Sequence, residues 1–412
     1  MEHAHRWQHL HIYILFSDWI KCYDRIHHAP LMDALRRFGL PPQYLRVLNS
    51  IYCDLSFFVA DAWGKSAVLR QEQGLRQSGP LACFLLLILM TVIMLDCRDA
   101  FFAECDRLNF GRAHKYMERV FGFQDVEFAD DTNLIQTHLP SLRVFVKCFL
   151  QEAAFYGFFA NNAPQPEGKS FLLAFNPDMA VIRVKDLEGR DFPVVPEAKT
   201  LGIVYGHGFH TPNNIFRARL SSMQGSMNQF KYVWRSNLSL KNKVTKMKAL
   251  VWNKGRWSLH LFPLSPALRK TVDGAQARFL RRILKVPAAY VRRVSHASVR
   301  RQCSTYRFST FIFRSQLRWL GHILRKPPEH PLRLVTFEPD YPDLRLRRPP
   351  SLYRSNPQTA VRGRPNLDWG QDLLHKIYRL SGISCTDVGR IAQDRRQFHQ
   401  LVERLCSLVD QT

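Results

Sequence analysis

The polar and apolar positions of the chain alternate with two periods, and the change between them marks out its elements. Residues 11–16 are almost continuously apolar and predict a buried strand. Val126 and Phe128, then Leu134 and Ile135, flank Asp130-Asp131 and predict a strand, a tight turn and a second strand. Leu31, Leu35 and Phe38 have the spacing of an amphipathic helix over 30–38, stopped by Gly39 and Pro41-Pro42, and a second helix covers 43–52. Residues 56–62 and 66–69 predict a hairpin around Trp63-Gly64-Lys65, with Gly64 at a turn position. Residues 80–95 carry no charge; at 16 residues against the ~20 needed to cross a bilayer, they predict a buried helix with Pro80 in its first turn and no membrane partner. A less regular, polar stretch follows to 123, then a helix over 139–156 and short strands over 168–175, 180–185, 191–195 and 200–205, with Glu188-Gly189 as a turn. Beyond 211 only helical periodicity recurs. Helices on one face of an antiparallel sheet predict an α+β fold, followed by a mainly helical region.

Asp18 follows directly on the first strand, while Asp130 and Asp131 sit at the tip of the hairpin. Hard divalent cations need oxygen ligands, and a two-metal site for phosphoryl transfer needs carboxylates that bridge ions about 3.5–4 Å apart. Asp18, Asp130 and Asp131 supply such a set if the fold brings them together.

Five blocks then follow one another in order. They are Asp18-x-x-Lys21-x-Tyr23-Asp24, Gln73-Gly74-Leu75-Arg76-Gln77-Ser78-Gly79-Pro80-Leu81, Phe128-Ala129-Asp130-Asp131, Gly168-Lys169-Ser170 and Thr200-Leu201-Gly202. This series resembles the reverse transcriptases of non-long-terminal-repeat (LINE-class) retrotransposons over roughly residues 10–210. The resemblance continues more weakly through Arg318-Trp319-Leu320-Gly321-His322 and Arg362-Gly363-Arg364-Pro365. It implies a polymerase palm with a thumb and RNA-directed DNA synthesis from deoxynucleoside triphosphates on an RNA template and a DNA primer or target. It implies two Mg²⁺ ions on Asp18, Asp130 and Asp131. Tyr23 would lie under the incoming sugar, Arg76 and Gln77 would contact the nucleotide and template, and Lys169 would protonate the leaving pyrophosphate.

The chain also departs from that pattern. Ser78 stands where the family has glycine, and 161–167 reads as altered sequence that would displace Lys169. Only 17 residues precede Asp18, so a fingers subdomain is expected to be missing and synthesis by the chain alone to be weak. The alternative expectation is a non-catalytic nucleic-acid-binding remnant of such a polymerase.

Charge adds a second half to this reading. Residues 1–210 hold 21 Lys and Arg against 23 Asp and Glu, whereas 211–412 hold 38 against 11. The second half is the footprint for a polyanion, with Phe230, Tyr232, Trp234, Trp252, Trp257, Phe279 and Trp319 interleaved for base stacking. The expected organisation is a palm over 1–210, a basic thumb-like region over 211–326, a Pro/Arg-rich linker over 327–365 and a helical tail of one or two helices over 366–412. The nine cysteines are scattered without a Cys-x-x-Cys pair, which argues against both a disulfide framework and a zinc knuckle and fits a reducing compartment.

Overall fold

A computed structural model describes residues 11–52, 55–76, 80–163, 167–175, 182–200, 203–206, 212–337 and 369–411. The chain divides into two compact units, Met1–Glu197 and Ala198–Thr412.

The first unit is α+β. Strand β1 (Ile12–Ser17) is buried along its whole length because it is central, which accounts for its unbroken apolar run. Four short strands follow, β2 (Ser56–Phe57), β3 (Ala60–Asp61), β4 (Gly64–Lys65) and β5 (Leu69–Arg70). They form the expected hairpin, but Gly64 pairs with Asp61, so Ala62 and Trp63 make the turn. Next come β6 (Asp125–Phe128), β7 (Asp131–Gln136) and β8 (Phe171–Phe175). The main sheet is antiparallel in the order β6-β7-β1-β8. Tyr13, Leu15, Leu134, Leu172 and Ala174 share one face and bury it against helices Pro80–Arg107 and Leu139–Phe155 through Leu89, Ile93, Phe101, Phe145 and Phe149.

Helix Pro80–Arg107 runs well past the predicted end at 95, into the stretch expected to be irregular. Cys97, Phe101 and Cys105 carry its buried stripe onward at a spacing of four. The charges that suggested a terminus are taken up sideways: Arg37 donates to Asp96 at 2.8 Å and Arg98 to Asp125 at 3.2 Å. Among the described residues this is one helix long and apolar enough to cross a membrane, and half of its most apolar window is buried within the protein. Residues 182–195 hold bridges Lys185↔Asp191 and Leu172↔Val194 rather than two full strands, with the turn at Glu188-Gly189 held by Asp186. Strands β9 (Glu197–Thr200) and β10 (Ile203–Gly206) pair with each other.

Among the described residues the second unit is helical from Pro212 onward. One core gathers Trp234, Met247, Trp252, Val272, Leu280 and Phe308; a second gathers Leu317, Leu320, Phe337, Leu373, Ile377, Phe398 and Leu405. Helix Phe308–Leu324 contributes to both. Three helices, Trp369–Ser381, Cys385–Gln393 and Arg395–Gln411, occupy the region where one or two were expected. Trp234, Trp252 and Phe279 are core residues, so the aromatic stripe read as a stacking surface is in large part hydrophobic core.

Candidate active site

The strand register brings the distant acids together. Ser17 pairs with Thr132 as the last rung between β1 and β7, and Asp18 and Asp131 are the residues next beyond it. Asp130 sits in the turn after β6, whose tightness forces Ala129 into the left-handed region at φ 57°. Burial, then the neighbouring Asp130 and Asp18, push the Asp131 carboxyl above its usual range. The adjoining Cys22 thiol is pushed up to about 12 by burial and then by Asp130, Asp18 and Asp24. The site therefore concentrates negative charge. Among the described residues no three His, Cys, Asp or Glu side chains stand close enough together to hold a metal ion. All three acids are hard oxygen donors, and a divalent cation would relieve the repulsion that adds to burial at Asp131, so the residues suit Mg²⁺ chemically.

Asp18 is fixed from its far side. Its backbone N–H donates to Ser170 Oγ at 3.1 Å, and Asn161 Nδ2 donates to Asp18 Oδ2 at 3.1 Å. The Asn161 backbone also donates to the Asp18 carbonyl at 2.7 Å, while its own carbonyl accepts from the N–H groups of Lys169 and Ser170, each at 3.0 Å. Asn161, the first residue of the stretch expected to displace Lys169, links the Lys169 backbone to Asp18. Lys169 itself is exposed, and its side chain makes no ion pair with any described residue. Gly168 is obligatory here, since a Cβ would lie 1.9 Å from the carbonyl oxygen of Ala163. Asn161 escaped the sequence reading because its role is made by loop closure between two strand ends.

Tyr23 is half-buried on the short helix Cys22–Arg25, and its hydroxyl donates to Cys83 Sγ at 3.9 Å. Burial first, then Cys83, Cys22 and Asp130, push the phenol up to about 12. Segment 73–76 docks on this helix: the N–H of Leu75 donates to the Tyr23 carbonyl at 2.6 Å and that of Gly74 to the Ile26 carbonyl at 2.8 Å. Gly74 has φ 94°, and a Cβ there would lie 2.8 Å from the Asp24 carbonyl oxygen. Arg76, exposed, is thereby carried beside the Tyr23 helix. Gln77, with Ser78 and Gly79, lies outside the described residues, as do Leu201-Gly202, 345–348 and 362–365.

Residues 2–163 match the family model for reverse transcriptase (RNA-dependent DNA polymerase). That segment is similar to a reverse transcriptase domain. It contains Asp18, Tyr23, Arg76, Gln77, Asp130 and Asp131 and stops short of Lys169. No curated protein matches the sequence. Among solved structures, telomerase from Candida albicans with a TWJ fragment of telomeric RNA aligns with a TM-score of 0.40 and 14% identity, covering 72% of this chain and 51% of that one. Telomerase from Candida tropicalis aligns with the same RNA fragment (TM-score 0.34, 14% identity, 97% and 49% covered) and in its apo form (0.36, 14%, 78% and 47%). The chain thus spans about half the length of these telomerase chains.

Proposed function

We propose that the first unit is the palm of a non-long-terminal-repeat retroelement reverse transcriptase and that the chain performs two-metal nucleotidyl transfer, with 211–326 as its thumb. The observation that carries this reading is that Asp18 and Asp131 are the residues next beyond the last β1–β7 rung, Ser17 with Thr132, in a segment similar to a reverse transcriptase that also contains Tyr23 and Arg76. Asp18, Asp130 and Asp131 would hold two Mg²⁺ ions, which when bound supply positive charge to the attacking 3′-oxygen and the departing pyrophosphate. Tyr23 forms the floor for the sugar of the incoming deoxynucleoside triphosphate, and Arg76 with Gln77 contacts its phosphates and the template. Lys169, carrying its own proton, gives it to pyrophosphate as the bond to the α-phosphorus breaks. Asn161 keeps Asp18 and Lys169 in register. RNA template and DNA primer lie along the basic second unit.

Primer extension on an RNA template with Mg²⁺ tests this. Asp18→Ala and Asp130→Ala are expected to abolish extension and to weaken Mg²⁺ binding measured by calorimetry. Extension that survives either change would sink the polymerase reading.

A second reading is a nucleic-acid-binding protein that has lost catalysis. It is favoured by the absence of a gathered metal-ligand group among the described residues and by the charge of 211–412. Here the full chain binds RNA with steep salt dependence, while Mg²⁺ neither binds at Asp18 and Asp130 nor supports extension.

A further inference from the structure

From Gly274 to Pro328 the chain holds 13 Lys and Arg and no Asp or Glu. Within this stretch, helix Pro266–Leu284 ends at Lys285, which takes the left-handed conformation at φ 56° while the Val286 N–H donates back to the Arg281 carbonyl at 2.9 Å. The chain then leaves the helix, makes a single helical turn at Ala289–Arg292 and re-enters a helix at His296–Gln302, capped by Ser295, whose Oγ accepts from the Ser298 N–H at 3.1 Å. Arg281 closes this loop from beneath. It is 6% exposed, and its guanidinium donates to the Pro287 carbonyl at 2.9 Å and also to the Val294 carbonyl, near the two ends of the excursion.

A buried guanidinium that donates to carbonyl oxygens, with no carboxylate beside it among the described residues, is costly, and non-glycine residues at positive φ persist only where their surroundings impose them. Lys285 and Arg293, at φ 56° and 52°, are two such residues. The loop is therefore held in one shape. What it presents is an aromatic ring and cations: Tyr290 is 88% exposed and has no ring partner among the described residues, and Lys285, Arg292 and Arg293 are exposed without a carboxylate partner there. Burial, then Arg281 and Arg300, push the nearby His296 imidazole below its usual range, as expected in a positive field.

We propose that loop 285–295 is a stacking site for single-stranded nucleic acid, with Tyr290 packed on one unpaired base and Lys285, Arg292 and Arg293 on the flanking phosphates. This rests on the nucleic-acid reading of the second unit and adds to it a place and a contact. Phenol rings stack on any base, and a loop fixed in advance loses little freedom on binding. An acidic protein surface would use the cations but leave the ring idle, so the combination selects a ligand with both phosphates and flat bases.

The test is fluorescence anisotropy of a labelled oligouridylate with the full chain across a range of salt. Tyr290→Ala is expected to weaken binding by about tenfold with the salt slope unchanged, whereas Tyr290→Phe binds like the parent. Combined Lys285→Gln, Arg292→Gln and Arg293→Gln is expected to lower the slope of log Kd against log salt by about 2, at ~0.7 per phosphate contact on a single strand. Tight RNA binding that neither Tyr290→Ala nor the triple variant alters would overturn the loop proposal and leave the wider reading standing; no RNA binding at low salt would overturn both. Loss of binding to vesicles containing anionic lipid in the triple variant, with RNA binding intact, would assign the loop to a membrane surface and reject the proposal.

Discussion

At Gly74 two constraints coincide, a φ of 94° and the Asp24 carbonyl 2.8 Å from where a Cβ would stand. Gly74→Ala should therefore destabilise the first unit by about 2 kcal/mol or more, read as a fall in Tm, because the carbonyl it meets is backbone and cannot rotate away. Glu127 makes a different kind of demand. Its Oε1 is buried without a hydrogen-bond partner among the described residues, and burial followed by the nearby Asp125 pushes its carboxyl up to about 7. A carboxyl that holds its proton more tightly when folded contributes stability that is present below its unfolded pKa and lost as pH rises through the folded one. Thermal unfolding between pH 4.5 and about 7 should show stability falling by about 2 kcal/mol with rising pH, and Glu127→Gln should flatten that decline. Asn161 was legible as a polar residue in a loop and as nothing more, since its partners Asp18, Lys169 and Ser170 meet it only through the β1–β8 pairing.

At the scale of elements, helix Pro80–Arg107 backs helix Leu139–Phe155, which lies directly on the sheet. Phe101 is fully buried, with its ring 4.7 Å from that of Phe145. Phe101→Ala should cost about 3–5 kcal/mol, measured by denaturant unfolding, since a rigid packed layer cannot close over the void. The apolar pattern over 80–95 predicted this helix and its burial, but not its last turns. Asp96 and Arg98 look like a solvent-facing end until Arg37 and Asp125 are folded alongside them. The strands tell the same story from the other side. β1 and the β6–β7 hairpin were legible because a central strand and a tight acidic turn have strong local signatures, whereas 182–195, held by isolated bridges, does not.

For the whole molecule, the helices of 369–411 complete the second unit. They cover Leu317, Leu320 and Leu324 on helix Phe308–Leu324, and Trp369 Nε1 donates to the His260 carbonyl at 2.7 Å. A chain ending at 337 should expose that apolar face and aggregate, with the loss of helical signal exceeding the share of helix removed, as read by circular dichroism and light scattering.

The sequence by itself determined the α+β first unit and the helical basic second unit, because periodicity, charge and turn chemistry are written in neighbouring residues. Tertiary structure alone decided that β1 pairs with β7 up to Ser17 and Thr132, so that Asp18 and Asp131 follow the same rung, that Asn161 links Asp18 to Lys169, that Trp234 and Trp252 are core, and that Tyr290 is left outside. Register depends on partners more than a hundred residues away along the chain and burial on partners from other helices, and a local pattern gives a strand its faces without saying which strand will lie beside it.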